Sequence, residues 1–133
     1  MEKVENICLD TNILIDFLRN KKEALDFVKE HEMKDALATT IINIFELYYG
    51  AFHSLSEKRK MAIQELQRRI KVLPFSTESA EMAAKIMVNL ESSGNALDFR
   101  DLLIGVISLN NGFSLKTRNK KHFSKIPNLT LCN

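Results

Sequence analysis

Apolar residues follow two different spacings along the chain, and their alternation predicts the fold. Short runs rich in β-forming residues occur at Ile7–Leu9, Ala36–Thr39, Lys71–Phe75, Phe113–Thr117 and Leu129–Cys132. Between them, apolar residues recur every three or four positions, as they do along one face of a helix. Strands that alternate with helices are typical of βαβ units, in which helices cover both faces of a parallel sheet. The pattern predicts an α/β fold, a three-layer α/β/α sandwich with a mostly parallel sheet of about five strands.

Asp10 lies where this architecture is expected to place functional groups. In open parallel sheets, sites form at the carboxyl ends of the strands, near the point where the strand order reverses. Asp10 follows the first apolar run directly, and Thr11 and Asn12 lead from it into a helical segment, Ile13–Leu18. Asp is also a good N-cap residue, so the position fits either a helix cap or a functional carboxylate.

Glu46 interrupts a segment that is otherwise apolar nearly all round. Between residues 41 and 52, the exceptions are Asn43, Glu46 and Gly50, which share one narrow stripe of the predicted helix. A carboxylate in such a helix carries a large desolvation cost unless a cation is near. No Lys or Arg occurs between Thr40 and Phe52, so the counter-charge is either a metal ion or a basic side chain from another helix.

A third acidic position lies in the predicted helix of residues 98–109, where Asp98, Asp101 and Gly105 share one stripe. Asp98 suits a capping role at the helix N-terminus. Asp101 lies deeper, directly before an apolar run, and Gly105 is expected to leave room beside it. Carboxylates gathered in one place repel one another, and a divalent cation relieves this. Oxygen ligands favour Mg²⁺ or Mn²⁺, whereas the three histidines lack a zinc-binding spacing.

Composition sets the broad class. The chain has 133 residues, of which 45% are hydrophobic and 27% charged, which predicts a single domain, 1–133, with its own core. Cys8 and Cys132 lie in apolar runs and are expected to be thiols in a reducing compartment. Neither a stretch of about 20 apolar residues nor a signal-peptide pattern is present, so we expect a cytoplasmic protein and no membrane contact.

The net charge of +2 is too small to indicate nucleic-acid binding, but the basic residues are clustered. The clusters are Lys58–Lys60, Arg68–Lys71 and Lys116–Lys125. We interpret the first two as solvated helix faces. The third follows a predicted strand and borders the proposed acidic site, which favours contact with phosphates.

Four segments, in order, resemble the successive motifs of PIN domains, and of the VapC-type toxins in particular. They are Leu9–Asp16, Asn43–Gly50, Arg100–Gly105 and Thr117–Phe123. The resemblance extends from about residue 7 to the C-terminus. It implies a parallel sheet flanked by helices, and hydrolysis of RNA phosphodiester bonds with bound Mg²⁺ or Mn²⁺. It also implies a cognate antitoxin and a homodimer as partners.

Carried over residue by residue, the resemblance makes Asp10, Glu46 and Asp101 the catalytic acids and metal ligands. The fourth acidic position of the family falls on Asn119, whose neutral amide lowers the charge of the site and puts a tightly held second metal in doubt. The spacing along the helix adds Asp98 as a ligand through water.

The remaining site residues are expected to support Asp10 or to bind RNA. Thr11 and Asn12 would orient Asp10 or contact phosphate at the helix N-terminus. The basic residues expected to hold the RNA backbone are Lys116, Arg118, Lys120, Lys121 and Lys125. Tyr48, Tyr49 and Phe52 fit either a core or an interface, and we favour the core.

Other functions remain open at this point. One is a PIN nuclease that processes RNA or acts on DNA without an antitoxin. Another is a degenerate scaffold that binds RNA or protein without cleaving, with Asn119 as the first sign of decay. Phosphotransfer through an aspartyl-phosphate fits less well, because dehalogenase-type phosphatases need a second Asp where Asn12 stands and a receiver domain gives Glu46 and Asp101 no role.

Overall fold

Four short parallel strands form the centre of the computed structural model, which describes residues 3–133. The strands are β1 (Asn6–Leu9), β2 (Ala36–Thr40), β3 (Lys71–Leu73) and β4 (Ser114–Lys116). Their order in the sheet is β3-β2-β1-β4, and all three pairings are parallel. The chain therefore adds β2 and β3 on one side of β1 and then places β4 on the other side of β1. The switch in strand order lies between β1 and β4.

Seven helices cover this sheet within the described residues. They are α1 (Thr11–Leu18), α2 (Lys22–His31), α3 (Ile41–His53), α4 (Glu57–Arg69), α5 (Thr77–Ser92), α6 (Phe99–Asn110) and α7 (Lys120–Phe123). Successive strand residues point to opposite faces, so Ile7 and Leu9 join the core formed with α1 to α4. Cys8 joins the core formed with α5 to α7 on the other face. The predicted three-layer α/β/α sandwich is confirmed.

The fifth predicted strand is wrong. In the run Leu129–Cys132, the ladder contact is a single parallel bridge between Leu131 and Leu115. The chain is held there by two backbone bonds to β4: Leu115 N–H donates to the Thr130 carbonyl, and Cys132 N–H donates to the Leu115 carbonyl. The apolar pattern correctly indicated contact with the sheet, but the segment leaves the ladder after one residue. The sheet therefore has four strands.

Local sequence sets the start of two long helices. Thr40 caps α3: its hydroxyl accepts from Asn43 N–H, and the Asn43 side chain accepts from Thr40 N–H in return. Ser76 and Ser79 form the same reciprocal pair at the start of α5. No helix among residues 3–133 is both long and apolar enough to span a bilayer.

Candidate active site

The carboxyl ends of β1 and β4 meet at the switch in strand order, and Asp10 and Thr117 lie there. Asp10 directly follows β1 and is 5% exposed, while Thr117 directly follows β4 and is 2% exposed. The two strands are paired through Cys8 and Leu115, so their ends emerge side by side. The candidate site therefore occupies the crevice in which open α/β sheets place their ligands.

Three donors fix the Asp10 carboxylate. Oδ1 accepts from the Thr11 backbone N–H at 2.8 Å and from Asn43 Nδ2 at 3.1 Å, and Oδ2 accepts from the Thr117 hydroxyl at 2.7 Å. Asp10 is also the N-cap residue of α1. The two roles suggested by the sequence are thus compatible, because capping α1 and the contacts to Asn43 and Thr117 hold the same carboxylate in one orientation.

Glu46 approaches Asp10 from α3. Its Oε1 accepts from the Thr11 hydroxyl at 2.7 Å, and its Oε2 lies 3.7 Å from Nη1 of Arg100. Burial raises the pKa of Glu46, and repulsion from Asp10 and Asp101 adds to this, while Thr11 and Arg100 oppose it. A basic residue from another helix, one of the two partners considered for Glu46, is therefore present, but at a long distance.

Asp101 completes the acidic group from the first turn of α6. Burial raises its pKa, and the charges of Asp10 and Asp98 raise it further. His122 opposes this effect, with Nδ1 at 3.5 Å from Asp101 Oδ2. The structure thus brings together the three predicted acids, from the end of β1, the second turn of α3 and the first turn of α6, closely enough for their charges to shift pKa values within the group.

Two residues without a predicted role, Asn43 and Thr117, hold this group. Asn43 is fully buried and donates to Asp10 and, at 2.8 Å, to the Thr11 hydroxyl, while its carbonyl accepts from Thr40. Thr117 donates to Asp10 and accepts from the Asn119 backbone N–H at 2.9 Å. A Thr followed by Asn three positions later signals a helix cap, which was the available clue for Asn43.

Asp98 and Arg100 form the rim of the site at the start of α6. Asp98 occupies the N-cap position but makes no side-chain capping bond. Its half-exposed carboxylate instead lies 3.9 Å from Nε of Arg100. Asp98 therefore does not form the expected capping hydrogen bond. Its negative charge instead raises the pKa of Asp101.

Two of the predicted RNA-binding side chains point away from the acids. The Lys116 ammonium lies over the Phe27 ring, 4.8 Å from its centroid, and donates to the Asn133 carbonyl. Nε of Arg118 lies 3.6 Å from Asp16, a residue outside the acidic group. Both side chains therefore belong to the α1–α2 side of β4.

The other predicted residues of this region lie around Thr117 and the start of α7. The backbone N–H of Arg118 donates to Asn12 Oδ1 at 3.4 Å, so Asn12 supports the loop after β4. Asn119 is exposed at the N-cap of α7 without a side-chain capping bond. Lys120 and Lys121 are exposed on the same short helix.

The sequence suggested that Gly105 leaves open space beside Asp101, and this prediction is wrong. A Cβ added there would meet Ile126 Cδ1 at 2.2 Å and Leu129 Cδ2 at 3.3 Å. The position is small because the segment after α7 packs against α6. Its role is therefore in the core on that face of the sheet.

The preference for a core role at Tyr49 and Phe52 is wrong. Tyr48 is half-buried and donates to Gln67 of α4 at 2.6 Å, but Tyr49 is 63% exposed and Phe52 is 57% exposed. Ile41 and Phe45 extend the same exposed stripe, which we call the apolar face of α3. The helix is apolar nearly all round, yet only one side of it packs on the sheet.

The acidic donor set fits a hard cation that keeps water ligands. The oxygens of Asp10, Glu46 and Asp101 do not all lie within 4.8 Å of one another, so they do not form a closed cage. Mg²⁺ commonly binds in this way, through one or two carboxylates, waters and substrate phosphates. With oxygen donors that repel one another, the group suits such an ion better than it suits zinc.

A second cluster lies at the amino-terminal ends of β1 and β2, opposite the acidic group. Glu5, His31 and Asp35 are, within the described part of the chain, the one set of three potential ligands lying within 4.8 Å of one another. Asp35 accepts from the Glu5 backbone N–H at 2.9 Å and lies 2.6 Å from His31 Nδ1. The Glu5 N–H and then His31 lower the pKa of Asp35. These contacts explain the cluster as a link between α2 and the start of β2.

Comparison with known proteins agrees with this geometry. The family model described as PIN domain matches residues 7–129. The chain is a PIN domain. Within the PIN domain, the matched range contains the three acids, Asn43, Thr117 and Asn119.

Similar proteins cover nearly the whole PIN domain. It is 28% identical over 124 residues to the tRNA(fMet)-specific endonuclease VapC of Salmonella typhimurium, covering 92% of this chain and 93% of that protein. It is 27% identical to ribonuclease VapC1 of Methanocaldococcus jannaschii, and the match covers 95% of this chain and 85% of that protein. The structure of VapBC-1 from nontypeable Haemophilus influenzae includes a chain that superimposes with a TM-score of 0.84 at 29% identity, covering 96% of both chains. A chain in the crystal structure of VapBC2 from Rickettsia felis, bound to a promoter DNA fragment, superimposes with a TM-score of 0.85 at 26% identity. The match covers 96% of this chain and 97% of that chain.

Proposed function

We propose that this chain is a metal-dependent endoribonuclease that hydrolyses RNA phosphodiester bonds and is the toxin of a toxin–antitoxin pair. The observation that carries the proposal is the convergence of Asp10, Glu46 and Asp101 at the switch point of the sheet. Support comes from relatives named as VapC ribonucleases and from similar chains in VapBC structures. The proposed nuclease domain spans residues 1–133.

Each proposed site residue has a task set by its contacts. Asp10, Glu46 and Asp101 would hold Mg²⁺ or Mn²⁺, with Asp98 reaching it through water. When bound, the ion would lower the pKa of a water and stabilise the charge that develops on the phosphate. Asn43, Thr11 and Thr117 keep Asp10 and Glu46 in place before any ligand arrives, which reduces the reorganisation needed.

The rim groups would bind the RNA strand. Lys120 and Lys121 are exposed beside Asn119 and would contact backbone phosphates, an interaction that weakens as salt increases. Lys116 and Arg118 are held by Asn133 and Asp16, so a contribution from them requires these contacts to open. Because Asn119 is neutral, we expect a first metal to bind more tightly than a second.

The proposed activity is tested by incubating purified protein with a mixed RNA pool in Mg²⁺, in Mn²⁺ or in a chelator. We expect discrete cleavage products with either ion and none in the chelator, because the acids then lack the cation that makes the site reactive. A parallel titration of Mn²⁺ should show saturable binding. Protein that binds no metal at millimolar concentration would contradict the proposal and favour a non-cleaving scaffold.

The relatives solved as VapBC complexes support a cognate antitoxin as partner. A homodimer is supported by the apolar face of α3. Its members are Ile41, Phe45, Tyr49 and Phe52, all at least 42% exposed. None of these residues is charged, so a complementary partner surface would also be apolar. A second copy offers such a face, and two-fold symmetry would pair it with itself.

Replacing Phe45 with Glu is expected to convert the dimer to a monomer. A charge at the centre of a dehydrated apolar interface should weaken association by about thirtyfold or more. Light scattering coupled to size exclusion would measure the mass, with Met33→Glu as the matched control because Met33 is 91% exposed and lies outside this face. A wild-type monomer at high micromolar concentration, or a Phe45→Glu dimer, would refute this assignment.

A further inference from the structure

Arg100 is the cation at the rim of the acidic group, and it was not among the predicted RNA-binding residues. It is the second residue of α6 and immediately precedes Asp101. Its Nη1 lies 3.7 Å from Glu46 Oε2, and its Nε lies 3.9 Å from Asp98 Oδ2. The guanidinium thus stands between a carboxylate of α3 and one at the start of α6.

These contacts are loose. Both distances exceed the 2.7–3.2 Å range of N–H···O hydrogen bonds, and the Arg100 side chain is 59% exposed. Among the hydrogen bonds of residues 3–133, none is made by its guanidinium. All five N–H donors are therefore available to an incoming oxyanion, and their fork matches a phosphate.

Three other cations near the site are engaged elsewhere or face a different acid, and Lys120 and Lys121 are exposed ammonium groups on α7 rather than guanidinium groups. Arg118 pairs with Asp16, and the Lys116 ammonium is held by the Asn133 carbonyl. His122 faces Asp101. Arg100 is consequently the guanidinium placed to meet both Glu46 and a phosphate above the acids.

We propose that Arg100 serves two partners in turn: it neutralises Glu46 and Asp98 while no divalent ion is bound, and it contacts the phosphate of the bond to be cleaved once an ion is present. This inference rests on the proposed function. A divalent ion at Glu46 repels the guanidinium, so ion binding and the Glu46–Arg100 pair compete. The displaced side chain is long enough, and exposed enough, to turn to the substrate without a backbone movement.

Competition gives Arg100 a signature that a merely structural residue lacks. In Arg100→Gln, Mn²⁺ should bind about three- to tenfold more tightly than in wild type, because a repelling charge is gone. RNA cleavage at saturating Mn²⁺ should nevertheless fall about a hundredfold, as when one donor to a developing oxyanion is removed. Arg100→Lys should keep the wild-type Mn²⁺ affinity, since the charge remains, but recover only part of the cleavage, since the fork is lost.

The experiment measures free Mn²⁺ by electron paramagnetic resonance and single-turnover cleavage of one defined RNA for the four proteins. Arg68→Gln is the matched control, because Arg68 is exposed on α4 and pairs with Glu65. Tighter Mn²⁺ binding with slower cleavage in Arg100→Gln supports the proposal. Unchanged or weaker Mn²⁺ binding in Arg100→Gln, or cleavage like that of the control, overturns it. A wild-type protein that neither binds Mn²⁺ nor cleaves refutes the proposed function instead.

Discussion

Asp101→Asn is expected to abolish metal-dependent RNA cleavage while leaving the protein folded. The substitution keeps the shape of the side chain but removes one of the three charges proposed to hold the ion. Metal stabilisation of the transition state is worth several kcal/mol, so the rate should fall about a hundredfold or more. Cleavage rates in Mg²⁺ and Mn²⁺ measure this, and Asp26→Asn is the control, because Asp26 is exposed and pairs with Lys22 on α2.

Although Asp101→Asn should lose cleavage activity, it is not expected to lose thermal stability. Burial, Asp10 and Asp98 raise the pKa of Asp101 in the folded protein. Ionising Asp101 therefore costs more in the folded than in the unfolded chain, and the cost is present once the pH exceeds the ordinary Asp range. At neutral pH without metal, Asp101→Asn should unfold at the same temperature as wild type or higher. A loss of both cleavage and thermal stability would instead indicate a structural role.

Phe123→Ala should cause the largest loss of stability among these variants. Phe123 is fully buried in α7 and packs with Ile126 against α6, where its ring lies 3.4 Å from the position of a Cβ at Gly105. Truncating a buried Phe leaves a cavity and costs about 3–5 kcal/mol. The melting temperature should fall by about 10–20 °C.

Calorimetry or circular dichroism in a chelator would measure this effect without a contribution from metal. Phe99→Ala makes the same chemical change at a residue that is 63% exposed and should alter stability by no more than about 0.5 kcal/mol. If the two variants melt together, α7 does not contribute to the cooperative core.

The sequence was sufficient for the features that depend on local pattern. Strand and helix periodicity predicted the parallel three-layer fold. The end of a strand indicated Asp10, an interrupted apolar helix indicated Glu46, and the first turn of a helix indicated Asp101, and the structure brings these three side chains together. The error at the fifth strand has a physical cause: an apolar run near β4 does pack on the sheet, but ladder pairing at Leu131 ends after one residue.

Features that depend on distant contacts were not predictable in the same way. Thr117 donates to a carboxylate 107 positions away, and no local pattern records that bond. The direction of a long basic side chain depends on its neighbours, so Lys116 turns to Phe27 rather than to the acids. An apolar helix predicts burial on all sides, but the sheet covers only part of α3, which leaves Phe45 and Tyr49 in solvent.

The bond between Thr117 and Asp10 also bears on when the protein becomes active during its synthesis. A nascent chain that ends near residue 110 already carries all three acids, yet it lacks β4 and the hydroxyl that fixes Asp10 Oδ2. Since contacts this remote in sequence form late, Oδ1 is held first by Thr11 and Asn43, and Oδ2 gains its donor only after β4 has joined the sheet. If the chain cleaves RNA as proposed, the growing polypeptide would lack one of the three bonds that orient Asp10 and should cleave less well than the finished enzyme.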